Sequence, residues 1–147
     1  MRGSSVSRPS SLARLRALAP AERRLLLLAA ILLPAYTVGV RLRGLQGVRG
    51  WFRVLRAPAG ATPAQAARMV AAAARRIPWN GACLPASLTL QRLLRAQGVE
   101  SELKLGVRRV GGRIEAHAWV EREGVALLDT RARGGAPFAA LGPARRR

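Results

Sequence analysis

The chain has 147 residues, half of them apolar, which suffices for one domain with a real core, or one domain with an N-terminal extension. Its formal net charge of +19 points to an anionic partner (nucleic acid, an anionic membrane surface, or an acidic protein or peptide) or else to a solvated basic surface from arginine-rich codon usage. A single cysteine excludes an intrachain disulfide framework and a zinc knuckle, and fits a reducing compartment.

Residues 1–11 are Ser-rich and basic, and read as a disordered tail. Residues 12–56 read as helical, apolar and basic. Leu12, Leu15 and Leu18 give a short basic helix ending near Pro20, which then opens the next helix. The stretch 25–40 carries no charge; its sixteen residues fall short of the ~20 needed to cross a bilayer. Arginines flank both ends and no small-residue cleavage site follows. A buried or interfacial helix is therefore expected over a membrane span or a signal sequence, with a kink at Pro34. Leu42, Leu45, Val48, Trp51, Phe52 and Leu55 among arginines form a basic amphipathic stretch suited to anionic lipid or a partner protein.

Ala57 to Ala61 is a linker by composition, and residues 57–135 are expected to form the functional core. Thr62 followed by Pro63 is an N-cap with proline at the first helical position, predicting a helix from Pro63 to about Arg76. Ile77-Pro78 breaks it. Apolar spacing through Leu84, Leu88, Leu90, Leu93 and Leu94, ended by Gly98, predicts a second helix with Cys83 at its mouth. There the positive end of the helix dipole favours the thiolate, the nucleophilic form.

Two strands follow: Ser101–Val110, then Ile114–Glu121 after a Gly111-Gly112 turn. His117, the only histidine, shares a face with Glu115, Trp119 and Glu121. A three-residue loop over 122–124 would pair Glu121 with Val125 and set His117 opposite Asp129. A one-residue slip would move Asp129 to the other face. Residues 136–147 read as a basic tail.

A lone cysteine is usually a buried small hydrophobe, and an isolated histidine or aspartate is usually structural. In the order nucleophile at a helix start, imidazole, then carboxylate on consecutive strands, Cys83, His117 and Asp129 point to cysteine-based acyl chemistry. The backbone N–H of Cys83 is the first oxyanion donor, with Trp79 or Asn80 as a second, unless Trp79 packs on the helix and Asn80 caps it. Ser87 suits packing. Trp119 lines a cleft or covers the sheet.

The arrangement resembles the transglutaminase-like cysteine peptidases, within the papain-like architecture. Cys83-Leu84-Pro85-Ala86-Ser87-Leu88 with Leu93, Leu94 and Gly98, then Leu105-Gly106-Val107-Arg108, then Ala116-His117-Ala118-Trp119-Val120-Glu121 and Gly124, is similar to the leader peptidases of lasso peptide biosynthesis. The resemblance implies an α+β fold with the catalytic helix on a small antiparallel sheet. It implies Cys83 as nucleophile, His117 as general base and acid, and Asp129 as the orienting residue, with no cofactor or metal. The implied partners are the leader region of a lasso precursor, a separate small leader-recognition protein, and the ATP-dependent lasso cyclase. A cytoplasmic location follows, peripheral to the membrane if the basic N-terminal region binds lipid. The alternatives are a transglutaminase-like acyltransferase, or a basic nucleic-acid-binding or scaffold protein with an incidental thiol. Few aromatics and no nucleic-acid motif weigh against the last.

Overall fold

The computed structural model describes residues 11–77, 82–128 and 138–140. Helices α1 (Ser11–Ala17), α2 (Pro20–Val48), α3 (Pro63–Ala74) and α4 (Cys83–Ala96) precede strands β1 (Glu102–Val110), β2 (Arg113–Arg122), β3 (Val125–Leu128) and β4 (Ala139–Ala140). The strands form one antiparallel sheet in the order β3-β2-β1-β4. The fold is α+β, as the sequence predicts.

The helix that Cys83 opens is the centre of the molecule. From Pro85 to Leu94 every residue but Gln91 is buried, including Ser87, Thr89 and Arg92. That all-round burial follows from its position: α2, α3 and β2 all pack against it. Leu25, Leu32 and Leu33 of α2, Val70 of α3, Leu90, Leu93 and Leu94 of α4, and Val120 of β2 form one cluster. Residues before and after the 57–61 linker therefore share a core. The N-terminus of α2 is tied to the middle of α3 by one acid: Glu22 accepts from the backbone N–H of Ala19 at 3.2 Å and from Arg68 at 2.6 Å. Thr62 caps α3 as predicted, accepting from the Gln65 N–H at 3.2 Å while the Gln65 side chain accepts from the Thr62 N–H.

The departure from helical dihedrals in α2 comes at Gly44 (φ 66°, ψ 177°), not at Pro34. Only glycine adopts that backbone without steric cost, so the chain turns back there. Gly39 lacks a side chain where one would strike the Trp51 ring at 2.5 Å. Trp51 and Phe52 consequently close over Tyr36, with ring centroids 6.3 and 5.6 Å away. The stretch expected to lie as an amphipathic surface is thus folded inward: Leu45, Val48, Trp51, Phe52 and Leu55 pack on the core, leaving Leu42 and Val54 exposed.

Tyr36 is the only tyrosine and is 2% exposed. Burial pushes its phenol above the usual value of 10.0, while the charges of Arg92 and Arg95 pull the other way. The folded chain keeps a proton that the unfolded chain releases, so this group's contribution to stability falls as pH rises beyond about 10. In a near-ultraviolet absorbance titration the phenolate should form at higher pH in the folded chain than in denaturant. Coincident curves would show that Tyr36 is not desolvated.

Two tight turns build the sheet. Gly111 and Gly112, at φ 53° and 80°, join β1 to β2 as predicted. Glu123 and Gly124, at φ 52° and 77°, join β2 to β3, so the loop has two residues rather than three. Arg122 pairs with Val125 and Glu121 with Ala126, and a bulge then sets Val120 opposite Leu128. The expected pairing of Glu121 with Val125 is not formed. Its physical cause is Glu123, which takes the left-handed conformation and shortens the turn.

Candidate active site

Cys83 is the first residue of α4, half-buried, with Ala82 as N-cap and no side-chain cap among the described residues. The first intrahelical bond runs from the Ala86 N–H to the Ala82 carbonyl at 2.9 Å. Pro85 has no N–H, so the donors at this mouth without an intrahelical acceptor are the backbone N–H groups of Ala82, Cys83 and Leu84. An electropositive helix end beside a reachable thiol is the environment in which cysteine acts as a nucleophile.

His117 lies in the middle of β2 and is 3% exposed. Because α4 packs on β2, the elements carrying the thiol and the imidazole are neighbours. The two side chains leave those elements differently. Val120 turns to the helices, and strand alternation puts His117 and Trp119 on the other face. There the imidazole stacks on Trp119 (centroids 5.9 Å, planes 19° apart) and lies 4.8 Å from the Phe138 ring. Trp119 is fixed in turn by its indole N–H, which donates to Glu121 Oε1 at 2.6 Å. Arg108 places its guanidinium 4.4 Å from the Phe138 centroid and pairs with Glu115 at 2.9 Å.

Gly106 makes this packing possible. It sits opposite His117 on β1 and beside Ala140 of β4. A Cβ there would meet the Trp119 ring at 2.8 Å and the Ala139 carbonyl oxygen at 2.9 Å. The ring can tilt, but the β4 backbone cannot yield without losing its pairing. Gly106→Ala is therefore expected to cost about 1–3 kcal/mol, as overpacking usually does. In thermal melts this reads as a fall of roughly 3–10 °C, with altered tryptophan fluorescence. A melt equal to that of the unchanged protein would mean that β4 moves freely.

Cys83 thus opens α4 and His117 lies on the adjoining strand β2, with the imidazole on the sheet face opposite the one that packs on α4. Asp129, Trp79 and Asn80 lie outside the described residues. Trp119 covers the sheet face beside the imidazole, and Ser87 is a packed core residue, 1% exposed. Arg108 enters the sequence reading only as the last residue of the Leu105–Arg108 segment, and Phe138 carries little signal. Phe138 falls in the region read as a tail, where its one mark was being an isolated aromatic among small and basic residues. A polar cleft of about 890 Å³, reaching from Arg95 and Glu100 to Lys104 and Glu123, lies at the C-terminal end of α4 and includes neither Cys83 nor His117.

A lone cysteine opening a buried helix, packed on an antiparallel sheet that carries the lone histidine, is the architecture of the α+β cysteine enzymes. Within that class, the chain belongs to the transglutaminase-like superfamily, which it matches over residues 32–141. The match begins inside α2 and ends just past β4. The superfamily includes cysteine peptidases and acyltransferases. No match is found among curated proteins or among solved structures.

Proposed function

We propose that the protein is a cysteine endopeptidase that removes the leader from a lasso peptide precursor, before a separate ATP-dependent cyclase closes the macrolactam. The observation that carries this reading is Cys83 at the first position of α4, with α4 packed on the strand that bears the only histidine. Membership of the superfamily supports acyl chemistry at this thiol. The similarity of the Cys83 helix and of Ala116–Glu121 to lasso leader peptidases supports the narrower assignment.

In this reaction the Cys83 thiolate adds to the scissile carbonyl, and the N–H groups at the helix mouth hold the developing oxyanion. For His117 to take the thiol proton, its imidazole must reach the helix mouth from its own face of β2; it then gives that proton to the departing amine, leaving a thioester with the leader. Water, deprotonated by His117, then releases the leader acid and restores the thiol. Asp129 is assigned the orienting role, holding the imidazole tautomer without taking up its proton. A small recognition protein presents the leader, and the reaction belongs to the reducing cytoplasm, where the thiol stays free.

The test is leader release from a precursor by the full chain together with the recognition protein, in heavy-oxygen water. Hydrolysis puts one heavy oxygen into the leader carboxylate. A leader joined to an added amine instead would establish acyl transfer, the other chemistry of the superfamily. No release, with the thiol unreactive to alkylation, would remove both.

A further inference from the structure

A helix on a protein surface normally turns apolar residues inward and polar ones to water. Between Arg24 and Arg41, α2 has no charged side chain on any side, yet only one side is buried. Leu25, Leu26, Ala29, Leu32, Leu33 and Tyr36 face the core, while Leu27, Ile31 and Val38 are 59, 64 and 52% exposed. At helical spacing those three share the outer side with Ala30 and Pro34. Arg23 and Arg24 stand at one end of this stripe and Arg41 at the other, with exposed Leu42 beside it. An apolar cavity of about 400 Å³, lined by Leu15, Leu26, Leu27, Pro34 and Ile77, continues the surface towards α1.

We infer that this outer face of α2 lies on an anionic lipid surface, with Leu27, Ile31 and Val38 among the acyl chains and the flanking arginines among the head groups. The stripe carries no side-chain hydrogen-bonding group between its arginines, so it has nothing with which to read a partner's sequence; a fluid apolar phase edged with anions fits it. Electrostatics point the same way. The protein carries +19, and Glu22, the only acid before Glu100, is occupied by Arg68.

The helix lies on the membrane rather than crossing it. Leu27 to Val38 covers roughly 17 Å at about 1.5 Å per residue, against about 30 Å of hydrocarbon. Of the most apolar 18-residue window, 44% is buried in the protein's own core, so lipid cannot surround it. Attachment in the interface plane needs just such a one-sided apolar face with basic flanks. This inference does not depend on the peptidase reading.

The full chain should float with vesicles containing one third phosphatidylglycerol, and much less with pure phosphatidylcholine. Ile31→Glu/Val38→Glu alters two exposed positions, and should keep the circular dichroism spectrum while lowering partitioning about tenfold or more. Arg23→Gln/Arg24→Gln should lower it about fivefold per charge, and added salt should do likewise. If the glutamate variant does not fold, the arginine variant decides. Three results would overturn the inference: no flotation, equal binding to neutral vesicles, or binding that neither variant weakens. Self-association that the glutamate pair abolishes, without vesicle binding, would assign the face to a second copy instead.

Discussion

Under the proposed peptidase function, Cys83→Ala is expected to lower the rate of leader release by about 10³-fold or more, because it removes the atom assigned to form the acyl-enzyme. The substitution is clean for a structural reason. Cys83 is half-buried at the first position of α4, outside the all-buried run from Pro85 to Leu94, and alanine is a good helix former there. The melting temperature should therefore stay within a degree or two of the unchanged protein. His117 offers no such clean test. Its ring is packed among Trp119 and Phe138, so truncating it would open a void on that face of the sheet together with any loss of proton transfer. Alkylation gives an independent check, since this is the only cysteine. One equivalent of iodoacetamide should be incorporated and leader release lost in parallel. Release that survives in a well-folded Cys83→Ala chain, or after full alkylation, would mean that the thiol is not the nucleophile.

The parts of the molecule legible in the sequence are those set by local chemistry. Thr62 and Pro63 fix the start of α3, the spacing of leucines from Leu84 to Leu94 with Gly98 after it fixes α4, and Gly111-Gly112 fixes the first hairpin. The second hairpin is one residue tighter than its sequence pattern predicts. Nothing about Glu123 announces a left-handed backbone, yet that one dihedral decides the pairing of β3. The long apolar helix was legible as apolar, but its partner surfaces were not, because an uncharged stretch from Leu25 to Val40 looks the same from every side. Which side is buried is settled by α3 and α4, far along the chain. Gly44, Trp51 and Phe52 belong to the same problem: periodicity past Arg41 continued as if on one straight helix, and a single glycine reversed its direction. The tail-like Phe138 meets His117 only because Gly106, opposite His117, leaves room for β4 to pair. Such tertiary coincidences have no short-range trace.

Arg92 is the extreme case, and its substitution should have the largest effect on stability. In a chain with this many arginines nothing in the sequence sets it apart, yet it is 8% exposed in the middle of α4. Its guanidinium donates to three backbone carbonyls of the segment after α2: Phe52 at 2.5 Å, Arg53 at 2.9 Å and Leu55 at 3.1 Å. Phe52 holds a left-handed backbone (φ 57°), uncommon for a non-glycine residue, and its carbonyl is one of the three. The planar fork of arginine reaches all three acceptors; an ammonium on a single nitrogen has no such spread. Arg92→Met preserves much of the volume and leaves those carbonyls without their donor. The expected loss is about 2–5 kcal/mol, or roughly 5–15 °C in melting temperature. Arg92→Lys should recover only part of it. The exposed neighbour Arg95, replaced by methionine, should change stability by about 0.5 kcal/mol or less. Tyr36 supplies a second readout, because the Arg92 charge favours its phenolate against the effect of burial. Removing that charge should move the phenolate titration further up in a chain that still folds. Equal melting of the Arg92→Met and Arg95→Met chains, with an unmoved Tyr36 titration, would mean that the turn after α2 is held by the packing of Trp51 and Phe52 alone.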